Sequence, residues 1–119
     1  MSKGEIMLCV FDFALIADLS KRKIMKSCLE IAIFKVSKDN ISRVIELSLS
    51  VINEINALEE VILSSDIFKK VDDDEELCWH LTWVSREKIN FIKGRWSSFP
   101  SVKELELLID EKVYLGHFV

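Results

Sequence analysis

A chain of 119 residues, half of them apolar and 30% charged, with three Gly and one Pro, is too rich in core-forming side chains to be disordered or of low complexity. Its length suits one domain that buries a core without disulfides or metal. The net charge of −4 divides into +3 over residues 1–44 and −7 over residues 45–119. That balance argues against direct nucleic-acid binding, whose affinity comes chiefly from Lys and Arg on phosphates.

Residues 5–17 are rich in Val, Ile, Phe and Leu, with Met7, Cys9, Phe11, Phe13 and Leu15 on one face of a predicted strand. The apolar run over residues 6–17 is interrupted by Asp12. It is shorter than the roughly 20 residues that span a bilayer. It also lacks the basic flank and small-residue cleavage site of a signal peptide. No membrane association is expected. Residues 26–36 alternate in the same way, and the polar residues 18–23 between the two runs predict a hairpin with a basic tip. A helix over residues 14–27 is the alternative.

Residues 39–58 contain neither Gly nor Pro. Ile41, Val44, Ile45, Val51, Ile52, Ile55 and Leu58 recur at the spacing of one helical face, opposite Arg43, Glu46, Ser50, Asn53 and Glu54. Asp39 stands where an N-cap is needed. This helix is expected to organise the core by covering a sheet. Residues 61–71 read as a strand, followed by a loop of five carboxylates, Asp72, Asp73, Asp74, Glu75 and Glu76. Leu77, Trp79, Leu81 and Trp83 then alternate with Cys78, His80, Thr82 and Val84 as the clearest strand. Residues 85–88 suggest a turn and residues 89–96 a further strand, broken by residues 97–100. Ser101 and Glu104 match a capping box. They open a helix whose apolar face is Val102, Leu105, Leu108 and Ile109, and residues 112–119 close the chain as a strand. The predicted architecture is a single α+β domain over residues 1–119. It has a mostly antiparallel sheet with two helices, in the order β-β-α-β-β-β-α-β. Several strands are apolar on both faces, so one sheet face is expected to need a second cover.

Cys9, Cys28 and Cys78 are widely spaced and odd in number, which predicts free thiols and a reducing, cytoplasmic location. Cys78 and His80 share one strand face, but neither an orienting residue nor a second ligand pair accompanies them. Catalytic and metal-ligating residues are therefore expected to be none. His117 has no motif around it, residues 72–76 lack the alternation and central Gly of a calcium loop, and the glycines form no phosphate cradle. No cofactor is predicted.

The acidic run leads directly into the strand that carries Trp79 and Trp83. Clustered charge raises association rates and selects partners, and Trp often anchors interfaces. The expectation is a non-enzymatic binding module for another, basic protein: an acidic inhibitor or immunity-type protein that neutralises a partner such as a nuclease toxin. Its partner-binding residues would be Asp72, Asp73, Asp74, Glu75, Glu76, Trp79 and Trp83. The alternatives are a homodimeric chaperone or adaptor, and a small-ligand enzyme whose site is assembled from residues distant in sequence.

Overall fold

Strand β1 (Cys28–Lys35) sends alternate side chains to opposite faces, so Cys28, Glu30, Ala32 and Phe34 lie buried on one side while Leu29, Ile31 and Ile33 are half-buried on the other. The computed structural model describes residues 26–119. The expected strand over residues 5–17, the basic tip at 18–23 and Cys9 lie outside them, as does most of the alternative helix over 14–27.

From β1 the chain passes through a 3-10 turn (Lys38–Asn40) into helix α1 (Ile41–Leu58). Strands β2 (Ile62–Lys70) and β3 (Asp73–Trp83) follow as a hairpin. Helix α2 (Arg86–Lys93), a 3-10 turn (Trp96–Ser98), helix α3 (Val102–Leu108) and strand β4 (Glu111–Phe118) complete the described chain. The four strands lie in the order β2-β3-β1-β4 and every pair is antiparallel. The fold is α+β with a four-stranded antiparallel sheet.

Two features of the predicted architecture are corrected: there are three helices, not two, and the described order is β-α-β-β-α-α-β. The difference lies at residues 89–96. Ser85 accepts a hydrogen bond from the Lys88 amide (3.2 Å) and so caps a helix start. Ile89 and Ile92, three residues apart, are both buried on its inner side. Short apolar runs fit either period, and here packing against the sheet selects the helix.

The organising helix is present, with changes in detail. Ile52 and Ile55 are buried, Ile45 is partly buried and packs on the core, and Leu58 is exposed. Leu47 and Ser48 extend the buried face beyond the expected stripe. Asn40, not Asp39, occupies the N-cap, and its side chain makes no capping bond. Ser48 belongs inside because its hydroxyl donates to the Val44 carbonyl (2.7 Å) and accepts from Trp79 Nε1 (3.0 Å). Trp79 thereby ties β3 to α1 while its ring meets Phe34 edge-on at 5.2 Å. At the end of α1 the Asn56 side chain bonds the Val61 and Ile62 amides and the Ile62 carbonyl, turning the chain into β2.

The predicted capping box at α3 works differently. Ser101 is the N-cap, yet its amide and hydroxyl donate to Glu54 of α1 (3.0 and 2.5 Å). Glu104 instead receives a two-pronged contact from Arg43 (2.7 and 2.6 Å), which also reaches Glu46. Both interactions join α3 to α1. The helices cover the sheet face bearing Ala32, Leu77, Trp79, Leu81 and Trp83. The opposite face presents Leu29, Ile31, Ile33, Phe68, Tyr114 and Phe118, half-buried or exposed. Gly116 serves this outer face: a Cβ there would stand 2.7 Å from Tyr114 Cζ, so the missing side chain lets the tyrosine ring lie across the strand.

Truncating Ile52 to Ala should cost roughly 2–5 kcal/mol, measured by denaturant unfolding. Ser48→Ala should cost about 1–3 kcal/mol, because it strands the Trp79 N–H in the core. The Arg43 contact holds the Glu104 carboxyl below the usual carboxylate range. Its stabilisation is therefore present above the unfolded-state pKa and is lost as pH falls through the folded one. In Arg43→Met the Glu104 titration, followed by NMR, should move upward.

Candidate functional site

Where the sheet and helices do not close completely, they enclose a cavity of about 250 Å³. Its floor is the inner face of β1, β3 and β4, from which Ala32, Trp79, Leu81, Trp83 and Leu115 project. Ile52 and Ile55 of α1, Ile89 and Ile92 of α2 and Leu105 of α3 form its roof, and Trp96 borders it. The wall is overwhelmingly apolar and aromatic, with a few polar groups set into it, as in pockets that hold small organic ligands.

Glu30 and His117 face each other across the β1–β4 ladder, where they are paired residues. His117 Nε2 lies 3.3 Å from Glu30 Oε1, and the side chains retain only 23% and 12% of their exposure. A carboxylate this sheltered needs a partner, and the imidazole supplies it. Glu30 Oε2 makes no hydrogen bond to the described residues. Trp83 sits diagonally from Glu30 on the same sheet face, since Cys28 opposes Trp83 and Glu30 opposes Leu81. Its Nε1 is buried without a hydrogen-bond partner among the described residues. An orphaned buried donor costs about 1–3 kcal/mol.

A second polar cluster borders the cavity. Glu106 accepts from Trp96 Nε1 (3.1 Å) and pairs with Lys112 (3.0 Å). Lys112 reaches it because β4 bulges at Val113: Ile33 opposes Tyr114, and Phe34 opposes Lys112. The extra residue turns Lys112 to the inner face, whereas strict alternation would send it out with Tyr114. Lys93 also borders the opening and is exposed.

The expected partner-binding residues are not gathered at one place. Trp79 and Trp83 are buried, at 4% exposure each, and line the cavity. Of the acidic run, only Asp72 is in the turn. Asp73 already begins β3, and none of the five carboxylates lines the cavity. Several have internal partners: Glu75 accepts from the Lys38 amide, Asp73 from the Glu75 amide, and Glu76 pairs with Lys70 at 3.6 Å. Cys78 and His80 face the outer side of the sheet. Burial pushes the Cys78 thiol up from its ordinary pKa, which keeps it protonated and a weak nucleophile. Cys28 and Cys78 are free thiols. Among the described residues no three His, Cys, Asp or Glu side chains converge as a metal would require, and no helix is long and apolar enough to cross a membrane.

Sequence reasoning passed over Glu30 and His117. Glu30 did carry a signal: it falls in phase with Cys28, Ala32 and Phe34, a lone carboxylate on an apolar strand face. His117 carried none, because its partner is 87 residues away in the chain.

No protein-family model and no curated protein matches the sequence. Solved structures match the fold. SnoaB, a cofactor-independent oxygenase from Streptomyces nogalater, superposes with a TM-score of 0.62 at 13% identity, over 78% of this chain and 91% of its own. A protein of Chloroflexus aurantiacus, named as a candidate antibiotic biosynthesis monooxygenase, gives 0.63 at 15% identity over 79% and 92%. Rv0793 from Mycobacterium tuberculosis gives 0.60 at 20% identity over 79% and 94%. These likenesses correct the expectation of an acidic inhibitor or immunity-type protein and of a non-enzymatic chain. The solved structures that share this architecture include proteins named as oxygenases and monooxygenases, and the two tryptophans expected to anchor a partner line an internal cavity.

Proposed function

We propose that this chain is a small-ligand enzyme that binds a compact apolar molecule in the cavity and oxidises it with dioxygen. The observation that carries the reading is the cavity itself, an apolar chamber between sheet and helices with one carboxylate–imidazole pair in its wall. Its volume of about 250 Å³ lies below the range typical of drug-sized ligands, which limits the guest to a small ring system. The names of SnoaB and the Chloroflexus protein support the oxygenase class. Where no cofactor takes part, the electrons that reduce dioxygen come from the ligand, which must then be electron-rich: a phenol, a hydroquinone or an enolisable ketone. The free thiols of Cys28 and Cys78 suit a reducing compartment such as the cytoplasm.

The test is dioxygen consumption with a panel of one- to three-ring phenols, hydroquinones and ketones, with binding followed by quenching of tryptophan fluorescence. At least one member should quench and be consumed with dioxygen. Ala32→Phe, which fills the floor between Trp79 and Leu115, should weaken binding tenfold or more. Quenching that survives Ala32→Phe unchanged would place the ligand elsewhere, and a panel that neither binds nor reacts would count against the enzyme.

A further inference from the structure

We propose that the Glu30 carboxylate is the acceptor that selects the ligand, taking a hydrogen bond from an O–H or N–H donor on a compact apolar ring. This assignment rests on the cavity being the ligand site, and it narrows the ligand class to rings that carry a donor.

Two carboxylates border the cavity, Glu30 and Glu106. Glu106 is engaged at both oxygens: Lys112 reaches them at 3.0 and 3.2 Å, and Trp96 Nε1 donates to Oε2 at 3.1 Å. Glu30 is engaged at one. His117 Nε2 meets Oε1 at 3.3 Å, and Oε2 makes no hydrogen bond to the described residues. Glu30 keeps only 9% of its exposure, with buried Cys28, Ala32 and Phe34 in phase on the same face. A carboxylate withdrawn this far from water, with one oxygen unbonded, favours a guest that brings a donor, because hydrogen bonds to charged acceptors are the strong ones.

The tautomer of His117 fixes what the pair offers. An ionised carboxylate only accepts, so the imidazole nitrogen facing it carries the hydrogen. Nε2–H is thereby committed to Glu30. The neutral ring keeps a lone pair at Nδ1, so neither member of the pair has an N–H left for a guest. Both members line the cavity, where they accept but do not donate. A keto carbonyl or an ether brings only lone pairs and meets acceptors there. A hydroxyl or a ring N–H meets its complement. Selection therefore has two parts, attraction of the donor and repulsion of the isostere that lacks it. Within the oxidisable classes this favours phenols and hydroquinones over ketones.

The experiment measures binding of 2-naphthol, 2-methoxynaphthalene and β-tetralone by isothermal titration calorimetry at about pH 8, above the ordinary imidazole range. The three share a similar ring body and differ in whether they donate. The unaltered chain should bind 2-naphthol about tenfold more tightly than either of the others, or better, as a hydrogen bond to a charged group implies. In Glu30→Leu, with its fold checked by circular dichroism, that preference should vanish. Glu30→Gln keeps the side-chain size and should shrink the preference severalfold, because a neutral amide oxygen accepts less strongly than a carboxylate. Ala32→Phe should weaken all three ligands alike. Equal affinity for the three in the unaltered chain would overturn the acceptor role and leave the cavity an apolar site. A preference unchanged in either Glu30 variant, or lost in Glu106→Gln instead, would assign the donor to another acceptor and overturn the proposal. If none of the three binds, the donor-bearing ring class falls with it, while the dioxygen-consumption panel judges the cavity independently.

Discussion

The register of β1 between β3 and β4 is the constraint from which the rest of the structure follows. Side chains alternate with a period of two, so a slip of one residue would exchange the two faces of the strand. Ala32 and Phe34 would leave the core for the outer face, and Leu29, Ile31 and Ile33 would enter it. Both faces of β1 are apolar, which means hydrophobicity on its own specifies this register weakly. Neighbours supply the discrimination. Trp79 must face α1 to reach Ser48, and β3 is held to β1 with Ala32 opposite Trp79. The Asp110 amide bonds the Lys35 carbonyl, and Ser37 bonds the Asp110 carboxylate, which anchors the start of β4 against the end of β1. With that register set, Glu30 has to face His117.

The cavity is the counterpart of this arrangement. Helix α1 is long enough to cover the β2–β3 side of the inner face, whereas α2 and α3 have 8 and 7 residues and are separated by a 3-10 turn. Short helices joined by a tight turn cover the inner face less densely than a continuous helix would. The space left is bounded by rigid elements, and polar groups built on strands are more precisely placed than groups on loops. The bulge at Val113 adds the one local adjustment, bringing Lys112 inward to meet Glu106.

The acidic hairpin shows how folding divides a run of charge that is continuous in the sequence. Five consecutive carboxylates suggest a steering surface, but alternation along β3 sends successive side chains to different sides. Lys70, the Lys38 amide and the Glu75 amide take up three of them. A less conspicuous feature, one carboxylate in phase with buried apolar residues, borders the cavity. Burial makes a charged group informative because removing it from water requires compensation; exposure makes a cluster of charges inexpensive.

Periodicity alone determined much of the fold. The stripe of Val44, Val51, Ile52 and Ile55, the alternation through Trp79, Leu81 and Trp83, and the cap at Ser101 each follow from neighbours within a few residues. The same is true of the α+β class and the antiparallel sheet. Residues 86–93 escaped that reading, because Ile89 and Ile92 satisfy a helical spacing as readily as a short strand, and only contact with the sheet distinguishes the two. The site escaped it for a stronger reason. Glu30 and His117 come from strands at opposite ends of the described chain, and His117 carries no local pattern that relates it to Glu30. Their meeting depends on which strands pair and in which register, and that choice is made by the whole core at once. Local sequence specifies elements through short-range sterics and periodic burial; a constellation of residues distant in the chain exists only after tertiary packing has selected one arrangement of those elements.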